Sequence, residues 1–237
     1  ILTVCMLIAG LYAQQPPSWE MCGEIYPTIH RVYEIIETSD GSILAATDAN
    51  ASPTAVIWKS TDGGQTWNYV LVAPGNYYKC YDLEITPSGR IYAVVCWDYY
   101  GSDILIYYSD DNGTNWSLLP QPRIPLKVIF TTWVQINDIG LKYHNGKLYI
   151  WGPYNSPPYS PGGPGHAECW FYDENTSKWG KWDFPFSYKG SVIEKGPGPV
   201  SGNTYLYLGT GVYGGRVIRI NEPIGLLERK NSNREIK

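Results

Sequence analysis

Apolar and polar residues alternate in short runs along most of this chain, and the runs are broken by Gly-bearing turns. Four segments share one plan of strand, turn and strand: 34–47 (EIIETSDGSILAAT), 82–95 (DLEITPSGRIYAVV), 139–152 (IGLKYHNGKLYIWG) and 192–209 (VIEKGPGPVSGNTYLYLG). A period of two belongs to a strand buried on one face, and the turn Gly supplies the positive φ that tight hairpins need. Each segment therefore predicts a β-hairpin. The turn glycines Gly41, Gly89, Gly146 and Gly202 lie 48, 57 and 56 residues apart. Recurrence at this interval predicts a repeat architecture, with one supersecondary unit per repeat.

A third strand follows every hairpin, and in two repeats a sharper motif follows the third strand. Residues 60–67 (STDGGQTW) fit S-x-D-x-G-x-T-W at every fixed position. Residues 109–116 (SDDNGTNW) depart from it only at Asn115, and 172–179 (YDENTSKW) keep little beyond the spacing to Trp179. The pattern resembles the Asp-box, or BNR, repeat of β-propellers, best known from sialidases. That resemblance implies an all-β propeller of four-stranded antiparallel blades. It gives Ser60, Asp62, Gly64, Trp67, Ser109, Asp111, Gly113 and Trp116 a structural role. The Asp accepts backbone N–H groups of its own turn, the Gly permits the reversal, and the Trp packs between neighbouring sheets.

On this plan each blade ends in a Trp-led strand, at 67–72, 116–120 and 179–184. The fourth repeat has a hairpin and a third strand (216–221) but no Trp-led successor. Such a segment stands instead at 18–22 (SWEMC). Trp19 precedes the first hairpin by 15 residues, as Trp67 precedes the second. Residues 18–22 are thus expected to complete the last blade and close a four-blade ring with no open sheet edge. Part of a larger propeller, or a ring completed in a homo-oligomer, are the alternatives.

The expected organisation is a signal peptide over 1–13, the propeller over 14–223 and a polar tail over 224–237. Residues 1–13 (ILTVCMLIAGLYA) are apolar and uncharged. They are too short for a bilayer span of about 20 residues and fit the apolar region of a secretory leader, with a buried strand as the alternative. A secreted or extracytoplasmic protein follows. Secretion permits disulfides among Cys22, Cys80, Cys96 and Cys169. A three-residue turn at 87–89 sets 86 opposite 90 and 80 opposite 96, so a Cys80–Cys96 bridge is feasible; free thiols acting as small apolar residues are the alternative.

Composition narrows the partners. With 21 Tyr, 10 Trp and 17% charged residues the chain is not of the disordered class, and 25 Gly with 18 Pro exclude a long coiled coil. A net charge of −4 argues against a basic nucleic-acid-binding surface. His30, His144 and His166 lack zinc-ligand spacing, and neither a CxxC pair, a phosphate-cradling Gly loop nor a G-x-S-x-G elbow occurs. No metal and no cofactor is expected.

In a four-stranded meander the loops alternate between two faces. Hairpin turns and Asp-box turns share one. The other collects Tyr77, Tyr78, Trp97, Tyr99, Tyr100, Trp133, Tyr154, Tyr159, His166 and Tyr213. Rigid amphipathic rings suit recognition of a sugar or a protein, although any one of them could simply cap a blade. The leading expectation is a non-catalytic recognition module for a glycan or an extracellular protein, with a purely structural assembly protein as a further option. The resemblance implies an alternative: a sialidase-like glycoside hydrolase cleaving terminal acidic sugars. Arg31, ten residues before Gly41, stands where that family places an Arg that grips the substrate carboxylate. Asp48 stands in the loop where it places its general acid. A guanidinium and a carboxylic acid are the right groups for those tasks. Val32-Tyr33 replaces the family's Ile-Pro after the Arg. Its further arginines have only Arg90, Arg216 and Arg219 as candidates, without motifs, and a literal Arg-Ile-Pro at 123–125 falls in an inter-blade loop.

Overall fold

The computed structural model describes residues 22–25, 29, 31–48, 54–74, 78–97, 103–124, 139–155, 166–183, 190–197, 204–210 and 216–220. Every regular element among them is a strand, and consecutive strands pair antiparallel within each of four sheets. The first sheet is β1 (Val32–Glu37), β2 (Ile43–Thr47), β3 (Ala55–Ser60) and β4 (Asn68–Val72). The second is β5 (Tyr78–Ile85), β6 (Ile91–Trp97), β7 (Leu105–Ser109) and β8 (Ser117–Leu118). The third is β9 (Gly140–His144), β10 (Lys147–Asn155), β11 (His166–Asp173) and β12 (Lys178–Asp183). β13 (Gly190–Pro197), β14 (Thr204–Thr210) and β15 (Arg216–Ile220) form the fourth. The expected hairpins stand in all four sheets, and Gly41, Gly89 and Gly146 have positive φ.

The sheets stack face to face in chain order. One core lies between the first two sheets, where Leu44, Ala46 and Ile57 meet Leu83, Ile91 and Ala93. A second lies between the second and third, where Tyr92, Val94 and Ile106 meet Leu141, Leu148 and Ile150. Tyr149 and Trp151 meet Leu206 between the third and fourth. β6 is therefore covered on both faces, which is why its sequence IYAVVCW is a continuous apolar run and not an alternating one.

The first strands of consecutive sheets converge. β5 contacts β1 and β9, and β9 contacts β13. Glu84 of β5 lies 3.9 Å from Lys142 of β9 and 3.8 Å from Lys195 of β13, tying three sheets together. β9 is an edge strand whose outward N–H groups need partners. Asp82 accepts from Leu141 N–H at 2.7 Å, and Glu84 accepts from Tyr143 N–H at 2.8 Å. Side-chain carboxylates here replace strand pairing between sheets.

One expectation fails in β5. Thr86 and Arg90 do face each other across the turn, but a bulge between Cys80 and Asp82 shifts the register, so Cys80 faces Val95 and Lys79 faces Cys96. A one-residue slip reverses the side chains. Cys80 joins the core shared with the first sheet and Cys96 the core shared with the third. Among the described residues, none of Cys22, Cys80, Cys96 and Cys169 is in a disulfide. Residues 1–21 and 221–237, with the expected leader, most of the closing strand and the tail, lie outside the described residues. Gly23 N–H donates to Gly64 O at 2.8 Å, which sets Cys22–Gly23 against a turn of the first sheet.

Candidate functional site

Two turns on the hairpin side are built alike. Ser60 Oγ donates to Asp62 Oδ1 (2.8 Å) and accepts from Gly64 N–H (2.8 Å). Asp62 accepts from Thr66 N–H (2.9 Å) and Thr66 Oγ1 (2.6 Å), and Trp67 Nε1 donates to Gly64 O (3.0 Å). Ser109, Asp111, Gly113 and Trp116 repeat this set, with the Asn115 amide donating to Asp111 Oδ2 (2.6 Å) in place of the Thr hydroxyl. The Thr66 hydroxyl and amide lower the Asp62 pKa to about 2, and the Asn115 amides do the same for Asp111. Both carboxylates are engaged in holding a turn. The 174–177 turn is built differently. Asp173 accepts from Asn175 N–H (2.9 Å) and Thr176 N–H (3.2 Å), and Trp179 Nε1 donates to Pro120 O (2.9 Å), two residues beyond β8.

The opposite face brings together four of the sequence-derived candidates. Arg31 and Asp48 each stand one residue beyond the last β1–β2 pair, Val32–Thr47. Asp48 forms a β-bridge with Lys79, whose neighbour Tyr78 pairs with Trp97. Arg31, Asp48, Tyr78 and Trp97 thus share the loop end of the first two sheets. Arg31 is exposed, Trp97 is 36% exposed, Tyr78 is half-buried, and Asp48 is only 2% exposed. The backbones of Tyr154 and His166 end the third sheet on the same face, in consecutive register pairs with Ala167 and Asn155. Tyr77, Tyr99, Tyr100, Trp133, Tyr159 and Tyr213 lie outside the described residues. Arg123 pairs with Asp103 at 2.7 Å, Arg219 lies over the Tyr205 ring, and Arg90 stands on the turn face. None of these contacts involves Arg31.

The turn face holds a constellation the sequence reading missed. An open cavity of about 590 Å³ is lined by Ser39, Ser88, Gly89, Arg90, Asp110, Asn112 and Glu174. Arg90 donates to both oxygens of Asp110 (2.6 and 2.9 Å) and lies 3.7 Å from Glu174. Tyr92 and Tyr143 donate their hydroxyls to Glu174 at 2.5 and 2.7 Å. Burial and then the Glu174 bond raise both phenol pKa values, that of Tyr143 to about 12, so each stays a proton donor. The residues come from turns of three sheets. Arg90 and Asp110 flank the Ile91–Ser109 pair of β6 and β7, whereas Ser39 and Glu174 are brought to them by the stacking of the sheets, which spacing along the chain does not reveal.

No family model matches the chain, and no curated protein sequence matches it. Solved structures do. The extracellular domain of a putative one-component system from B. thetaiotaomicron matches with a TM-score of 0.50 at 14% identity, over 90% of this chain and 24% of that one. An α-L-arabinofuranosidase from Fusarium graminearum matches with a TM-score of 0.47 at 16% identity, over 82% and 67%. The NanB sialidase of Streptococcus pneumoniae matches with a TM-score of 0.42 at 16% identity, over 74% and 26%. The chain spans about a quarter of the first and third of these proteins and two thirds of the second. The first likeness is one of fold alone. The other two fall below 0.5 and establish nothing further.

Proposed function

We propose that this protein is an Asp-box β-propeller acting outside the cytoplasm, whose loop face recognises a glycan without cleaving it. In this reading residues 1–13 are a leader, and residues 18–22 supply the fourth strand of the last sheet. The supporting observation is the Tyr78–Trp97 cross-strand pair, with Trp97 presented to solvent at the sheet end that also carries Arg31, Asp48 and Lys79. An aromatic face stacks on the apolar side of a sugar ring, and planar charged groups beside it take the hydroxyls or a carboxylate. A glycan array tests this. The wild-type chain binds a defined set of glycans, and Trp97→Ala weakens that binding by about tenfold or more, the scale of a buried aromatic anchor. Binding of no glycan, or equal binding by a folded Trp97→Ala, overturns the reading. Capture of a protein partner through the same residues would replace glycan with protein.

The shared position of Arg31 and Asp48 supports a second reading, a sialidase-like hydrolase with Arg31 on the substrate carboxylate and Asp48 as acid. Turnover of a fluorogenic sialoside that disappears in Asp48→Ala would establish it in place of binding alone. No turnover removes it.

A further inference from the structure

The cavity on the turn face lies at the opposite end of the sheets from Trp97, and the reading above leaves it unused. Its lining is held from behind. Asn112 sits in the turn fixed by Ser109 and Asp111, and Lys59 of the first sheet donates to Asn112 O (2.8 Å) and Thr114 Oγ1 (3.1 Å). Glu174 is fixed by the Tyr92 and Tyr143 hydroxyls. Groups locked this way are preorganised for a ligand.

The charges in the cavity are held against one another, with one carboxylate in excess. Arg90 and Asp110 form a two-point pair, and Glu174 lies beside the same guanidinium. An incoming anion meets two carboxylates, and an incoming cation meets Arg90. The excess negative charge opposes an anion, and a cation must compete with Arg90 for carboxylates that the guanidinium already holds. A neutral ligand keeps the pair intact. Ser39 donates its hydroxyl to Asn112 Oδ1 (2.8 Å) and Ser88 shares a hydrogen bond with Thr86 (2.8 Å), which leaves the Asn112 amide N–H groups as donors and lone pairs of the carboxylate and Ser oxygens as acceptors. Vicinal hydroxyls on one ring match such a set. A volume of about 590 Å³ falls within the range of small-molecule sites.

We propose that this cavity is a second binding site, taking one or two neutral sugar units whose hydroxyls bridge Arg90, Asp110, Asn112 and Glu174. The test is a titration of the isotope-labelled full chain with lactose, maltose and cellobiose, and with glucuronate and glucosamine as charged counterparts, followed by amide NMR shifts. At least one neutral disaccharide shifts the amides of 88–90 and 110–113, saturating in the millimolar range. Asn112→Gly, which removes the amide and tolerates the φ of 56° there, weakens it by about fivefold, one hydrogen-bonding group. Ser88→Trp fills the cavity and removes binding, and Trp97→Ala leaves it unchanged. The proposal falls if no neutral disaccharide moves these amides at about 50 mM, well above millimolar affinity. It falls equally if a charged sugar binds tighter, or if both folded cavity variants bind like the wild type. Insensitivity to Trp97→Ala separates this site from the loop face, so either can fail alone.

Discussion

Gly113 and Gly89 both sit in turns at positive φ, 77° and 89°, yet substitution should affect them unequally. A Cβ on Gly89 meets nothing within 4 Å, whereas one on Gly113 falls 2.5 Å from Cδ1 of the fully buried Leu44. Gly89→Ala is expected to cost about 1–2 kcal/mol through its backbone alone. Gly113→Ala adds overpacking against the first sheet, about 1–3 kcal/mol more. Urea unfolding of the two variants checks this, and equal losses would mean that Leu44 yields freely. The same turns predict an acid limb. Asp62 and Asp111 have folded pKa values of about 2, below the ordinary 3.8. Their stabilisation is present above pH 4 and is lost as pH falls through 2. The double variant Asp62→Ala, Asp111→Ala should start less stable at pH 7 and show a shallower fall in melting temperature between pH 4 and 2. These turns were legible in the sequence because the bonds of the Ser, Asp and Trp side chains that define them are local. A Ser, an Asp, a Gly and a Trp at fixed spacing make the whole structure.

β5 is where local reading stops working. Alternation predicted the strand and its hairpin partner, but it carries no mark of the bulge at Cys80–Asp82, which separated the two thiols that looked bridgeable. Nor does it show that Asp82 is turned inward. Burial raises the Asp82 pKa to about 7, partly opposed by the Leu141 N–H bond and reinforced by Glu34 and Glu84. Here the folded chain holds a proton that the unfolded chain releases near pH 4. Stability therefore falls as pH rises from about 4 to 7 and is level above that. The full span of such a shift is on the order of 4 kcal/mol. Asp82→Asn keeps an acceptor for Leu141 N–H and removes the titration. Its stability curve should be flatter than the wild type's between pH 4.5 and 7, and an unchanged slope would assign that limb to another group.

At the scale of the molecule, four repeats were readable from the glycine spacing, and the sheets stand where those repeats predicted. What the spacing could not reveal was the use of the turn face, since Glu174 reaches Arg90 and Asp110 only through the stacking of sheets. Closure is the remaining step. Each observed interface buries an apolar core, while Val217 on β15 is 73% exposed and Ile35 on β1 is 59% exposed. If residues 18–22 pair with the outer edge of β15, alternate β15 amides point into that new ladder and exchange slowly with deuterium. Pairing with β14 alone protects only the other half. Trp19→Ala should then speed exchange at the outward β15 amides while leaving β6 protected. If the ring is instead completed by further blades or by a second copy, Trp19→Ala leaves β15 unchanged. Light scattering then distinguishes a single chain from an assembly.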